Sequence, residues 1–146
     1  MVKSTEQLIK IFEELKIKHQ VDESFAQDTD VISVRIKHDK DFTDFAIFID
    51  HNLPDASIQA VMGKTTPRQR PVCLEILNEL HQKQKIIKYT IDHKNLICAQ
   101  LDIVADEKIL PSIIFQLLCN SLDLIMQCKD ALSQSGVLIC TNRKKT

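Results

Sequence analysis

Apolar residues recur with two periods along the chain, and the periods predict helices and strands. Helical spacing predicts helices over residues 5–16 and 71–83, and a long one from about 111 to just before Gly136. Residues 4–7 have the spacing of a capping box, so the first helix is predicted to begin there. Alternation of apolar and polar residues predicts strands over 32–37, 45–49, 57–62, 87–91 and 96–104.

The order of these elements is α-β-β-β-α-β-β-α, which is typical of an α+β domain. Short polar turns join most neighbouring strands, so the sheet is expected to be antiparallel, with about five strands and three helices. We expect one domain over residues 4–135 and a C-terminal tail over residues 136–146.

The last predicted helix is more apolar around its circumference than one sheet can cover. Its apolar sector spans roughly 240°, whereas packing on a single layer needs about 100°. The polar positions fall in one narrow wedge: Ser112, Gln116, Asn120, Asp123, Gln127 and Asp130. Another helix, the tail or a second copy of the chain must bury the surplus. We expect a homodimer with Phe115, Leu122 and Met126 at its interface.

The middle of the chain resembles a known family. Residues 76–80, Ile-Leu-Asn-Glu-Leu, end the middle helix and lead through Ile-Ile-Lys-Tyr-Thr-Ile-Asp, residues 86–92, into a hairpin and the leucine-rich last helix. In this order the elements resemble the bacterial YbjN family, whose fold is similar to that of type III secretion chaperones. The resemblance covers residues 4–132, and the tail departs from it. It implies a small cytosolic binding or chaperone-like module, commonly homodimeric, without established catalytic residues.

Charge and composition exclude several classes of function. Lys and Arg total 19 against 20 Asp and Glu, so net charge gives no argument for a polyanion-binding protein. Two glycines are too few for the glycine-rich loops that bind phosphates. Five cysteines, an odd number mostly set in apolar runs, indicate free thiols and a cytoplasmic location. A charged N-terminus and no run of 18 apolar residues give no reason to expect a signal peptide or membrane span.

Residues with catalytic or metal-binding potential are scattered. No histidine lies three or four residues from another histidine or a cysteine, and Asp50, His51, Asn52 and Asp55 are explained as a polar loop. The candidate thiols lie on faces predicted to be core, except that Cys119 lies on the edge of the apolar sector, and it has no cation near it in sequence. We therefore expect no metal, no cofactor and no enzymatic activity.

The second face of the predicted sheet is the candidate binding surface. It is either a plain solvated face or a surface for a polypeptide client, anchored by Phe48. The candidate polar contacts are Arg35, Lys37, Lys88 and Gln100. The sequence thus favours a polypeptide-binding, chaperone-like or adaptor module. The alternative is a nucleic-acid-associated regulator using basic residues of a loop and the tail: Lys64, Arg68, Arg70, Arg143, Lys144 and Lys145.

Overall fold

Three helices and a six-stranded sheet make up the part of the chain that a computed structural model describes, residues 1–38 and 41–137. The strands are ordered β1-β2-β3-β4-β6-β5 in the sheet. The elements are α1 (Lys3–Glu14), β1 (His19–Ala26), β2 (Thr29–His38), β3 (Asp41–Asp50), β4 (Asp55–Lys64), α2 (Arg70–Lys83), β5 (Lys88–Ile91), β6 (Leu96–Val104) and α3 (Leu110–Gln134). The structure confirms the predicted α+β fold and its element order, with one strand added.

The added strand is β1, at the edge of the sheet. It pairs antiparallel with β2 from His19 opposite Val34 to Asp22 opposite Val31, and a bulge follows between Asp22 and Ala26. Most of its side chains are exposed. An edge strand with little to bury needs no apolar alternation, so the periodicity gave no sign of it.

The register of β2 against β3 separates two faces of the sheet. Ile32 opposite Ile47 and Val34 opposite Phe45 belong to one face, and all four side chains are buried. We call this the inner face, and the other the outer face. The outer face carries the pairs Val31–Phe48, Ser33–Ala46, Arg35–Asp44 and Lys37–Phe42.

The chain divides into two compact units, and β4, β6 and α3 each contribute residues to both. The first unit comprises Met1–Ala60 and Leu101–Asn120. In it, α1 packs on the inner side: the buried Phe12 ring has its centroid 5.8 Å from His19 of β1 and 6.4 Å from Phe115 of α3.

The N-terminus of α1 is held by a carboxylate from β2, and the predicted capping box is wrong. The N-cap is Val2, and no side chain caps it locally. Instead Asp30, only 1% exposed, accepts hydrogen bonds on Oδ2 from the Val2 N–H (3.0 Å) and the Thr5 hydroxyl (2.7 Å). His51 Nε2 donates to Asp30 Oδ1 at 2.8 Å. The two hydroxyl residues of the apparent box, Ser4 and Thr5, lie within α1 and are buried.

The second unit comprises Val61–Gln100 and the chain from Ser121 onward. Its core includes Cys73 and Leu77 of α2 and Tyr89 of β5. The Tyr89 N–H donates to His81 Nε2 at 2.8 Å, and the two rings stack. Val72, at the start of α2, is exposed, so the buried side of this helix begins at Cys73.

The long helix α3 follows its predicted pattern. All six residues of the polar wedge are exposed, and Ile114, Leu118 and Leu132 are fully buried. Gly136, with φ of 75°, ends the helix as predicted: its N–H bonds to Ser133, and the Val137 N–H bonds to Leu132.

Length and composition alone would also let α3 cross a membrane. A core helix of a soluble protein meets the same test, so this property is weak evidence for a membrane span.

Candidate functional site

The outer face of the sheet in the first unit is open. The described contacts of α1 lie on the inner side, through Asp30 and His19. On the outer face, Phe25 of β1 is 62% exposed and Phe42 of β3 is 52% exposed. Phe25 contacts Phe48, whereas Phe42 lies six residues before Phe48 on β3, so the two exposed phenylalanines are separate apolar groups on this face.

Phe25 and Phe48 form an aromatic pair on this face. Their ring centroids are 5.5 Å apart and the planes are inclined at 65°, an edge-to-face arrangement. Val31, opposite Phe48 in the register, is buried although it points outward. Phe25, Phe48 and Val31 are called the Phe25–Phe48 patch below.

The Arg35 guanidinium contacts side chains of the same chain. Its Nε donates to Asp44 Oδ1 at 2.7 Å and its Nη2 to Oδ2 at 3.1 Å, and the guanidinium lies 5.4 Å from the centroid of the Phe42 ring. Lys37 lies opposite Phe42 in the register and is exposed. Arg35 therefore holds its charge in an ion pair, and Lys37 lies at the end of the face away from the patch.

Aspartates lie nearest the patch. Asp22 lies opposite Val31, Asp28 precedes β2, and Asp50 follows Phe48 by two residues on the same face. Hydrogen bonds from the Ser24 hydroxyl and N–H lower the pKa of Asp22, and those from the Asn52 and Leu53 N–H groups lower the pKa of Asp50. Both groups are thus carboxylates at neutral pH, so the surround of the patch is anionic.

The structure brings together three of the five predicted contact residues. Phe48, Arg35 and Lys37 share the outer face in the first unit. Lys88 and Gln100 lie opposite each other across β5 and β6 in the second unit. Sequence reasoning missed Phe25 because it lies on the strand that periodicity did not predict.

The predicted dimer residues differ in their surroundings. Phe115 is half-buried, and its ring meets the edge of Phe12, so α1 covers part of it. Leu122 and Met126 are half-buried on α3 in the second unit.

The basic loop residues also differ. Arg70 donates to the carbonyls of Ile91 and Asp92 and to Asn95 Oδ1, so its guanidinium fixes the turn between β5 and β6. Lys64 and Arg68 are exposed, and Arg68 lines a cleft of about 450 Å³ beside Gly136. Residues 138–146, with the three cations of the predicted basic tail, lie outside the described residues.

Of the groups with catalytic potential, His51 is engaged and Cys128 is buried, whereas the Cys119 thiol is exposed. Within residues 1–38 and 41–137, no group of three His, Cys, Asp or Glu is arranged to hold a metal ion. His51, from the polar loop, bonds to Asp30. Burial raises the pKa of the Cys128 thiol to about 12, so it is protonated and a poor nucleophile at neutral pH.

This architecture defines the protein as one with a YbjN-like fold, as its resemblance implied. The solved structure that it matches is YbjN from E. coli, described as "a putative transcription regulator". The match has a TM-score of 0.63, 13% sequence identity, and covers 92% of this chain and 95% of the other. At that identity the likeness shows the fold alone. No protein-family model matches the sequence, and no curated protein matches it significantly.

Proposed function

We propose that this protein is a non-catalytic module that binds a polypeptide segment on the outer face of its first unit, in a chaperone-like or adaptor role. The observation that carries the proposal is the aromatic pair of the exposed Phe25 and the half-buried Phe48, on a sheet face that no described element of the first unit covers. Free thiols at Cys73 and Cys128 support a location in a reducing cytosol.

A polypeptide suits this surface better than a small molecule. The patch is shallow, whereas small-molecule sites enclose most of their ligand. Side chains of an extended segment are spaced like those of a strand, so alternate residues can contact the patch while the others face solvent. Aromatic side chains also supply much of the binding energy at protein interfaces.

Peptide selection tests the proposal. Random twelve-residue peptides displayed on phage are selected against the protein, and binding of the enriched, labelled peptides is measured by fluorescence anisotropy. Phe25→Ser is expected to weaken binding by about tenfold or more, because losing an aromatic anchor costs at least ~1–2 kcal/mol. The variant is expected to fold, since Phe25 is 62% exposed.

The matched control is Leu74→Ser, on α2 and 41% exposed. It removes an exposed apolar side chain from the second unit, and its binding is expected to equal that of the wild type. Circular dichroism verifies the fold of both variants. Failure to enrich any peptide, or equal loss of binding in both variants, contradicts the proposal.

A second candidate is a nucleic-acid-associated regulator. The description of E. coli YbjN as a transcription regulator favours it, together with the exposed Lys64 and Arg68 and the basic residues Arg143, Lys144 and Lys145. Arg70 contributes little in this reading, because its guanidinium is bound within the chain.

Duplex DNA distinguishes this candidate. If phosphate contacts drive binding, the affinity for a labelled 30-base-pair duplex falls steeply between 50 and 200 mM salt, by about a hundredfold or more for several contacts. A chain ending at Val137 is then expected to lose most of the binding. Weak binding that is insensitive to salt and to this truncation would exclude the candidate.

A further inference from the structure

The charged groups nearest the Phe25–Phe48 patch are aspartates, and they restrict what the patch can bind. Asp22 lies opposite Val31, and Asp50 is two residues from Phe48 on the same face, about 7 Å along the strand. Asp28 precedes the start of β2. None of these three carboxylates has an ion-pair partner in the part of the chain that the structure describes.

Cationic side chains on this face of the first unit lie further away. Arg35 is four residues from Val31 along β2, about 13 Å, and Lys37 is about 20 Å away. Charges on an exposed surface are largely screened beyond about 8–10 Å in physiological salt. Arg35 is in addition paired with Asp44. Closer to the patch, the Met1 ammonium is paired with Glu23 at 3.7 Å. The charges without an ion-pair partner near the patch, among the described residues, are therefore those of the aspartates.

The same face shows how a cation fits such a surface. At the other end of β2, the Arg35 guanidinium donates two hydrogen bonds to Asp44 and lies against the Phe42 ring. The patch offers the same two partners, an aromatic ring and a carboxylate, through Phe48 and Asp50, which are two residues apart on one face of β3. Guanidinium and ammonium groups are attracted both to aromatic rings and to carboxylates.

We infer that the polypeptide bound at this patch carries arginine or lysine next to a large apolar residue. The apolar side chain packs on Phe25 and Phe48, and the cation pairs with Asp22 or Asp50. The inference rests on the polypeptide-binding function proposed above and specifies the chemistry of the partner.

Three labelled nine-residue peptides test the inference. Leucine alternates with arginine in the first, with glutamine in the second and with glutamate in the third, and binding to the full chain is measured by fluorescence anisotropy at 50 and 500 mM salt. The arginine peptide is expected to bind about tenfold more tightly than the glutamine peptide at low salt. The glutamate peptide is expected to bind most weakly, and the preference is expected to shrink at high salt.

The double variant Asp22→Asn/Asp50→Asn is expected to lower the affinity for the arginine peptide to that for the glutamine peptide. Asparagine retains an oxygen that accepts the hydrogen bonds these side chains receive from Ser24, Asn52 and Leu53. The matched control, Asp123→Asn/Asp130→Asn, makes the same charge change on the exposed polar wedge of α3 and is expected to bind like the wild type.

Each other result has a defined meaning. Equal affinity for the arginine and glutamine peptides, or tightest binding of the glutamate peptide, overturns the inference but leaves the polypeptide-binding function standing. Equal weakening by the two double variants assigns the effect to net charge and also overturns it. If none of the three peptides binds, the inference is overturned and the proposed function is contradicted as well.

Discussion

Asp30 links three segments of the first unit through one carboxylate. It receives hydrogen bonds from the N-terminal turn of α1, through Val2 and Thr5, and from His51 in the loop after β3. Burial alone would raise the pKa of Asp30, but the hydrogen bonds from His51, Thr5 and Val2 outweigh it and hold the pKa below its ordinary value. The charged carboxylate also lies at the positive end of the α1 dipole.

We predict that Asp30→Asn lowers the free energy of unfolding by about 1–3 kcal/mol at pH 7, since a buried charged acceptor of three donors is lost. Because the folded pKa is lowered, the contribution of Asp30 is complete above its unfolded pKa of about 3.9. It is lost as the pH falls through the folded value. Urea unfolding at pH 7, 5 and 3 measures the difference between wild type and variant.

The control for this experiment is Asp28→Asn, an exposed aspartate before β2. Its free energy of unfolding is expected to stay within about 0.5 kcal/mol of wild type. If Asp30→Asn and wild type have the same free energy of unfolding at pH 7, the charge of Asp30 does not stabilise the fold. The same conclusion follows if the difference between them at pH 3 is as large as at pH 7.

Two residues show why local sequence rules failed at this scale. Ser4 has the spacing of a capping residue with Gln7 but lies inside α1, and the hydroxyl of its neighbour Thr5 donates to Asp30, 25 positions further along the chain. Likewise, periodicity placed Arg35 on the correct face but gave no indication of its pairing with Asp44, which depends on the register of two strands. The pattern of apolar and polar residues along the chain predicts which face a side chain lies on. Its partner on a neighbouring strand is known only from the three-dimensional fold.

Tyr89 connects three elements of the second unit. Its N–H bonds to His81 of α2, and its hydroxyl donates to Gln84 Oε1 and lies 3.3 Å from the Leu124 carbonyl of α3. Burial raises the pKa of Tyr89 well above its ordinary value, and repulsion from the Cys128 thiolate that forms at high pH adds a smaller contribution. The phenol is therefore kept neutral by the packing of these elements.

The chain has one tyrosine and no tryptophan, so absorbance at 295 nm reports Tyr89 alone. We predict no phenolate signal at pH 11 while the far-ultraviolet circular dichroism stays native. In urea the signal is expected to titrate near pH 10. The stabilisation by neutral Tyr89 is complete below pH 10 and is lost as the pH rises through the raised folded pKa. If half of the phenolate forms at pH 10 while the circular dichroism spectrum stays native, the prediction of a raised pKa for Tyr89 is contradicted.

At the scale of elements, prediction depended on how much of each element is buried. β2, β3, β6 and α3 bury alternating or helically spaced apolar residues, and all were predicted near their true positions. β1 buries almost nothing and was missed, and the exposed Phe25 was missed with it. Phe25, one of the two rings of the aromatic pair at the candidate site, was therefore identified only from the three-dimensional structure.

Self-association is the expectation that belongs to the whole molecule. Leu122 and Met126 lie outside the polar wedge of α3 and are half-buried. We predict that static light scattering gives a mass near twice the chain mass of 16.7 kDa. Leu122→Asp is expected to yield folded monomers, because a charge at an apolar interface is costly to bury.

Asn120→Asp, on the exposed polar wedge, is the control and is expected to remain dimeric. A wild-type mass near 16.7 kDa would refute the dimer. If Leu122→Asp loses its circular dichroism spectrum instead of dissociating, Leu122 belongs to the core of the second unit rather than to an interface.

The bulge in β1 also bears on how this protein behaves when it is crowded. Fibrils grow when strands from many molecules join edge to edge in an unbroken hydrogen-bonded ladder. β1 keeps regular pairing only from His19 to Asp22 before the bulge. So short an uninterrupted stretch makes a poor template for a further strand. Concentrated solutions of the protein are therefore expected to resist amyloid growth from this edge.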